Sequence, residues 1–340
     1  MGALEPGRAV AQEVAGALIG MPVSVEQVIG GGRNSRIWRV DGGGRRFALK
    51  QYPPRRDDPR DRLGTEVGAL RLMASRNIDV VPRVIAADPE RGFALLSWIE
   101  GSPVNEAVDA DIDAAGAFLA AIHALRKAPD ARRQPPAAEA CLSGAEIERQ
   151  ITARLGRLSA LPAEDADCLA FLSDEFAPAF DRLAARARSR MIAAGLDFTA
   201  EVPHEKRSLV PSDFGFHNSL RRVDGSLAFV DFEYFGWDDP VKLTADVLLH
   251  PGLTLPPPQH RRFRNAAEAL YGEDASFRHR LDAFLPLFGL RWALILLNEF
   301  LPDRWRRRAM AEAAGDWGEA KARQLGKARA MLARMTEMKE

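Results

Sequence analysis

Little in this chain ties it to an oxidising compartment or to a membrane. Only two cysteines occur in 340 residues, Cys141 and Cys168. They have no metal-ligand spacing and form no disulfide framework, which excludes a zinc module and a stapled secreted domain. Both fall in regions that read as polar helix and loop, and they fit a reducing cytoplasm. No charge sign dominates either: 47 Lys and Arg balance 47 Asp and Glu, so the usual footprint of a nucleic-acid or membrane-surface binder is missing. The N-terminus lacks the basic start and apolar run of a signal peptide, and carries Glu5, Arg8 and Glu13 instead. The longest strongly apolar stretch, Trp292 to Leu297, is far too short for a bilayer. Internal repeats and long low-complexity tracts are absent as well. What remains is an ordinary globular composition, 46% hydrophobic and 28% charged. The expectation is a soluble, cytoplasmic chain with no membrane span and no nucleic-acid partner.

Length alone allows two domains or lobes, and the texture of the sequence divides the same way. Residues 8–19 carry helical spacing through Val10, Val14, Ala15 and Leu18. Short β-prone runs follow at Val23–Ile29, Ser35–Val40 and Arg45–Gln51, separated by Gly30–Gly32 and Gly42–Gly44. Helix period returns over 61–75, and two more strands are expected near Val81–Ala86 and Phe93–Trp98. After Gly101-Ser102-Pro103 the chain turns largely helical: 109–127, 143–159, 165–192, 241–249, 258–271, 276–301 and 311–338. One island of strands, 207–231, interrupts the helices, and 127–140 reads as a Pro- and Arg-rich surface loop. The expected division is 1–100, an antiparallel sheet plus helix, and 101–340, mainly helical with an embedded hairpin. The class is α+β.

The chemistry concentrates in Val210-Pro211-Ser212-Asp213-Phe214-Gly215-Phe216-His217-Asn218 and Phe229-Val230-Asp231-Phe232-Glu233. Asp213 and Asn218 fit D-x-x-x-x-N, and Asp231 lies 18 positions after Asp213. Between them the pattern is a hairpin turning at Asp224-Gly225, a strong two-residue turn signal. Such a hairpin returns Asp231 to the side of Asn218. A carboxylate and an amide oxygen on adjacent strand ends are hard oxygen donors of the kind magnesium takes beside phosphates. Asp213, just upstream, is then placed to accept a hydroxyl proton.

These two motifs resemble those of the aminoglycoside phosphotransferases, choline kinases and related small-molecule kinases, which share a two-lobed protein-kinase-like fold. The resemblance implies ATP and Mg²⁺ as cofactors, with Asp213 as catalytic base. Asn218 and Asp231 are then metal ligands, and Glu233 is an accessory acid near the metal. Gly236-Trp237-Asp238-Asp239-Pro240 is similar to the family's G-x-x-D-P stretch, in which Asp239 reads as an N-cap or loop brace. Asp213-Phe214-Gly215 also spells D-F-G, the magnesium motif of protein kinases. That register has no upstream catalytic loop, since Asp197 has Val202 where an asparagine is needed. The chain departs from the family in having Pro211-Ser212 for His-Gly before the aspartate. It also has Gly215, with His217 further on, where a histidine usually sits two positions after it.

Upstream, Phe47-Ala48-Leu49-Lys50 ends an alternating strand like the V-A-I-K signature, and Glu66 follows early in an amphipathic helix. By resemblance, Lys50 steadies the α- and β-phosphates and pairs with Glu66. Gly31, Gly32 and Asn34, with Ser35, resemble a loose G-G-x-x-N phosphate loop, in which glycine lets backbone N–H groups approach a phosphate. A plain turn accounts for the same residues. Leu95–Gly101 looks like the hinge, with backbone groups of Ser97 and Ile99 facing adenine. His123 reads as a structural histidine. Leu290–Phe300 is apolar nearly all round, as a core helix is. Asn298 and Glu299 either contact an acceptor or cap and pair, and Arg304–Arg308 is a solvated face or an anion site.

The expected activity is phosphoryl transfer to a hydroxyl of a small molecule, with oligomeric state open. A kinase-fold regulator without transferase activity is the rival. A protein kinase is disfavoured because no A-P-E segment follows Asp231.

Overall fold

Period-two alternation of apolar residues, punctuated by glycine, builds an antiparallel sheet from the first hundred residues. The computed structural model describes residues 6–28, 35–54, 60–252, 254–302, 305 and 316–338. Helix α1 (Pro6–Ile19) precedes strands β1 (Ser24–Gln27), β2 (Arg36–Gly42) and β3 (Arg45–Gln51). Helix α2 (Arg62–Ala74), β4 (Val84–Asp88) and β5 (Phe93–Ser97) follow. The strand order is β1-β2-β3-β5-β4, antiparallel throughout.

Trp38 and Val40, Phe47 and Leu49, and Phe93 and Leu95 are buried with Ala11, Val14 and Ala15 of α1, so one sheet face and one helix stripe form a single core. Because side chains alternate, Ala48 and Lys50 of β3 belong to the opposite face. That parity places Lys50 where α2 and the chain near residue 231 can reach it.

The chain forms two compact units, each assembled from several segments. The first comprises Met1–Glu106, Ala117–Ala138 and Leu209–Gly236, and the second Ala107–Gly116, Glu139–Ser208 and Trp237–Glu340. In the first unit, β6 (Ser102–Pro103), β7 (Ser219–Arg221) and β8 (Leu227–Phe229) make a small sheet. The expected hairpin is present, with Ser219 opposite Phe229 and Arg221 opposite Leu227. Its turn holds because Gly225 takes φ +84° and Asp224 Oδ1 accepts from the Ser226 N–H at 2.9 Å.

Tyr234 O accepts from the Ala138 N–H at 3.1 Å, tying the 127–140 loop to the segment after the hairpin. Beside that bond Gly236 has no room for a side chain: a Cβ there would lie 2.3 Å from Pro135 O and 2.5 Å from Ala137 N. Backbone atoms cannot swing aside, so Gly236→Ala is expected to cost about 1–3 kcal/mol of unfolding free energy. Urea denaturation checks this, and an unchanged midpoint would mean the loop is free to shift.

In the second unit, helices α4 (Gly144–Leu158), α6 (Ala177–Ala193), α7 (Pro240–Leu249) and α10 (Trp317–Glu337) pack around α9 (Phe277–Leu296). Helix α8 (Pro257–Leu270) also belongs to this unit, whereas helix α3 (Asp109–Leu125) is shared, its residues from Ala117 on belonging to the first. The expected helix over 165–192 is α5 (Ala166–Ala170), a wide π-type turn over Phe171–Phe176, and then α6.

The stretch Phe277–Phe300 is long and apolar enough to cross a bilayer, far beyond the six residues singled out from sequence. Most of it is buried in the fold, as in a core helix. Asp239 caps α7, accepting from the Val241 N–H at 3.0 Å, and it pairs with the buried Arg280 at 2.9 Å. Cys168 lies in α5 and Cys141 in a loop, as the sequence reads. Both are buried, and burial pushes the Cys141 thiol far up and the Cys168 thiol up to about 12, so neither offers a thiolate.

Candidate active site

Lys50 is the centre of a buried charge cluster. Its Nζ lies 2.6 Å from Glu66 Oε2, 2.7 Å from Asp231 Oδ1 and 3.3 Å from Glu233 Oε2. Burial works against an ammonium here, but Asp231, Glu66 and Glu233 outweigh it and hold Lys50 well above its usual range. Glu66 is fixed by more than the lysine. Tyr52 donates its hydroxyl to Oε2 at 2.8 Å, and Oε1 accepts the Phe232 N–H at 3.2 Å. The pairing of Lys50 with a glutamate 16 residues on is therefore a real contact.

Helix α2 supplies a second arm. Asp61 caps the helix by accepting from the Gly64 N–H. Arg62 then lies four residues before Glu66, so both face the same way. Arg62 Nη1 donates to Glu233 Oε1 at 2.6 Å, and Ser35 Oγ donates to Glu233 Oε2 at 2.9 Å.

Among the described residues, Lys50 and Arg62 are the cations that pair with these carboxylates. Burial and the neighbouring Glu233 and Glu66 push the Asp231 carboxyl up, against the pull of Lys50. Glu233 goes the other way: burial raises it, yet Lys50 and Arg62 hold it below its usual range. Asp231 itself adopts φ +71°, left-handed backbone that costs a non-glycine residue about 1–2 kcal/mol. Strain of this kind persists where surrounding bonds over-determine it. The carboxylate oxygens of Glu66, Asp231 and Glu233 lie within 4.8 Å of one another, and Asp231, the most exposed of the three, offers a hard oxygen donor that fits a divalent cation of the magnesium type.

Asp213 sits on a separate loop of the same unit. His217 Nε2 lies 3.2 Å from Asp213 Oδ1, and Asn218 Nδ2 donates to Asp213 O at 2.8 Å. Val230 N–H donates to Asn218 O at 3.0 Å, so the hairpin brings the Asn218 backbone within one residue of Asp231.

Phe118, Phe214, Phe229 and Phe232 stack and edge together beneath these loops, with Phe118 and Phe229 centroids 4.4 Å apart. The phenylalanine of the D-F-G spelling is thus a packing residue. Ser212 takes φ +69°, at the position where the family motif has glycine. Ser212→Gly is expected to change stability by less than about 1 kcal/mol, since relief of strain offsets the flexibility gained. Ser212→Val, β-branched at a left-handed position, should lose roughly 2 kcal/mol. Thermal unfolding of the pair reads the difference.

The remaining expected residues are placed as follows. Gly31, Gly32 and Asn34 lie outside the described residues. Ser97 ends β5 with its N–H given to Arg83 O at 2.8 Å and its Oγ accepting the Arg83 N–H at 2.9 Å. Ser97 is also registered opposite Phe47 in the sheet, and Ile99 follows beyond the strand. His123 is half-buried near the end of α3, and of Arg304–Arg308 only Trp305 is described. Sequence reading missed Arg62, Tyr52 and His217. The available signals were Arg62 one helical turn before Glu66, Tyr52 two residues after Lys50, and His217 one residue before Asn218.

The family described as "Phosphotransferase enzyme family" matches residues 24–284. No curated protein matches the sequence. Among solved structures, the chain resembles spectinomycin phosphotransferase APH(9)-Ia in complex with ADP and spectinomycin. The TM-score is 0.64 at 11% identity, covering 97% of this chain and 98% of that one. The choline kinase LicA from Streptococcus pneumoniae gives 0.58 at 17% identity, covering 97% and 100%. A Plasmodium vivax ethanolamine kinase gives 0.59 at 13% identity, covering 96% and 89%. At these identities the likeness is one of fold, and that fold is the kinase-like α+β fold.

Proposed function

This chain belongs to the phosphotransferase enzyme family, and on that premise we propose that it moves the γ-phosphoryl group of ATP to a hydroxyl of a small metabolite: a sugar, amino sugar or amino alcohol. The observation that carries the reading is the Lys50–Glu66–Asp231 contact set, a cation held ready beside a carboxylate that the hairpin delivers. Lys50 steadies the α- and β-phosphates, and the Ser97 carbonyl and Ile99 N–H meet the adenine. Ser35, together with Gly31, Gly32 and Asn34 outside the described residues, is assigned to phosphate binding by the family resemblance. Asn218 and Asp231 would hold Mg²⁺, which would supply neutralisation of phosphate charge.

Asp213 orients and deprotonates the acceptor hydroxyl. Its side chain is 37% exposed, which leaves it reachable, and His217 fixes one of its oxygens. In this reading residues 1–100 bind the nucleotide and 101–340 supply the base and acceptor site, in the cytoplasm.

The alternative is a nucleotide-binding regulator without transfer. It is disfavoured because Lys50, Glu66, Asp213, Asn218 and Asp231 are all present. A phosphorylation screen with ATP and Mg²⁺ separates the two. The panel is sugars, amino sugars, choline, ethanolamine, spectinomycin and aminoglycosides, the named compounds following the structural neighbours. A phosphorylated product supports transfer. ADP binding without product on any acceptor supports the regulator.

A further inference from the structure

We infer that Glu233 is a positioning residue, pinned by Arg62 so that it stays out of the cation's coordination and leaves Asp231 as the one carboxylate presented there. The inference rests on the nucleotide and metal reading above. It starts from the difference between two acids two residues apart. The Asp231 side chain is 28% exposed and pairs with Lys50, whereas the Glu233 side chain is 1% exposed.

Glu233 is spoken for on both oxygens. Oε1 accepts from Arg62, and Oε2 accepts from Ser35 and lies 3.3 Å from Lys50. A cation drawing on Glu233 would have to displace a guanidinium that is itself buried, at 4% exposure. Removing one partner from such a pair leaves an uncompensated buried charge. The guanidinium is held in place from the side too, 5.0 Å from the centroid of the Tyr234 ring.

Helix α2 thereby grips the metal-facing segment at two points. Glu66 takes the Phe232 N–H and Arg62 takes the Glu233 carboxylate, both just past the left-handed residue Asp231. Ser35 adds the residue immediately after the glycine-rich stretch to the same carboxylate. The arrangement fixes the direction in which Asp231 points. It also sets the number of carboxylates facing the cation, which is what tunes affinity at an oxygen-donor site.

Mn²⁺ titration of the full-length protein saturated with ADP, read by calorimetry and by the electron spin resonance of free Mn²⁺, tests this without turnover. Glu233→Gln is expected to leave the Mn²⁺ dissociation constant within about threefold of wild type, because the substitution removes no ligand. Arg62→Met, which frees the carboxylate to turn to the cation, is expected to tighten Mn²⁺ by about tenfold. The double variant Arg62→Met/Glu233→Gln should return to the wild-type value, and Arg62→Lys, which keeps the charge if the Met variant folds poorly, should stay near it. A tenfold or greater weakening in Glu233→Gln makes Glu233 a ligand and overturns the inference. An unchanged constant in Arg62→Met reduces the pair to a fold brace and overturns it as well. Wild-type protein that binds neither ADP nor Mn²⁺ sinks the nucleotide-site reading itself, an outcome distinct from both.

Discussion

Asp213→Asn is expected to lower kcat by about 10²–10⁴-fold, the usual worth of a positioned general base, while KM for ATP and the unfolding midpoint hold at wild-type values. The substitution keeps shape and the contact with His217, and removes only basicity. Asp213 stands on a loop held by the Asn218 amide on its carbonyl and by Phe214 in the aromatic cluster, and its carboxylate is more than one-third exposed. A loss confined to kcat is therefore the signature of a group acting on the reacting hydroxyl. Near wild-type turnover with ADP binding intact would remove Asp213 from the role of base. A parallel rise in KM for ATP would instead place it in nucleotide binding.

Lys50→Met is expected to cost about 3–5 kcal/mol of stability at pH 8, besides abolishing transfer. The wild-type ammonium has its affinity for a proton raised above the usual range. Its contribution is thus fully present below that range and lost only as pH rises through the folded value. Without it, Glu66, Asp231 and Glu233 are left with Arg62 as their only cation in the cluster, among the described residues. Burial and repulsion from its neighbours then drive the protonation of Asp231 further upward, and a group whose folded pKa is raised gains stability as pH falls. The gap between variant and wild type should accordingly narrow between pH 8 and pH 5.5. Urea denaturation at the two pH values measures it. An equal loss at both would show that the cost is packing and not charge.

Much of this arrangement was legible in local sequence because local physics dictates it. Alternation through Phe47-Ala48-Leu49-Lys50 fixes the strand face, helical spacing fixes Glu66, and Asp224-Gly225 fixes the turn that returns Asp231 to Asn218. The parts not legible depend on partners far apart in the chain. Arg62 and Ser35 are 171 and 198 residues from Glu233, and neither looks different from a surface arginine or a turn serine. Ser212 in the left-handed region could be suspected only from the motif, since serine carries no such mark. The burial of both cysteines was hidden because polar neighbours in sequence need not be neighbours in space. The π-type turn at Phe171–Phe176 was not legible because a single wide turn inside a long helical run carries no residue signature of its own.

The unit that carries these groups draws on three lengths of chain, the last ending at Gly236. On a ribosome, the five-stranded sheet emerges long before Asp231 and Glu233 exist. At about 5–20 residues per second, Lys50 and Arg62 wait on the order of ten seconds for two of the carboxylates that will neutralise them. Until then the nascent sheet can fold against α1 through Trp38, Leu49 and Leu95, but the opposite face stays open and charged. A truncation after residue 106 should stop the molecule in that half-built condition. The N-terminal sheet is therefore a poor choice for expression as an independent nucleotide-binding fragment, and co-translational chaperone dependence would be heaviest while the chain between 106 and 236 is being made.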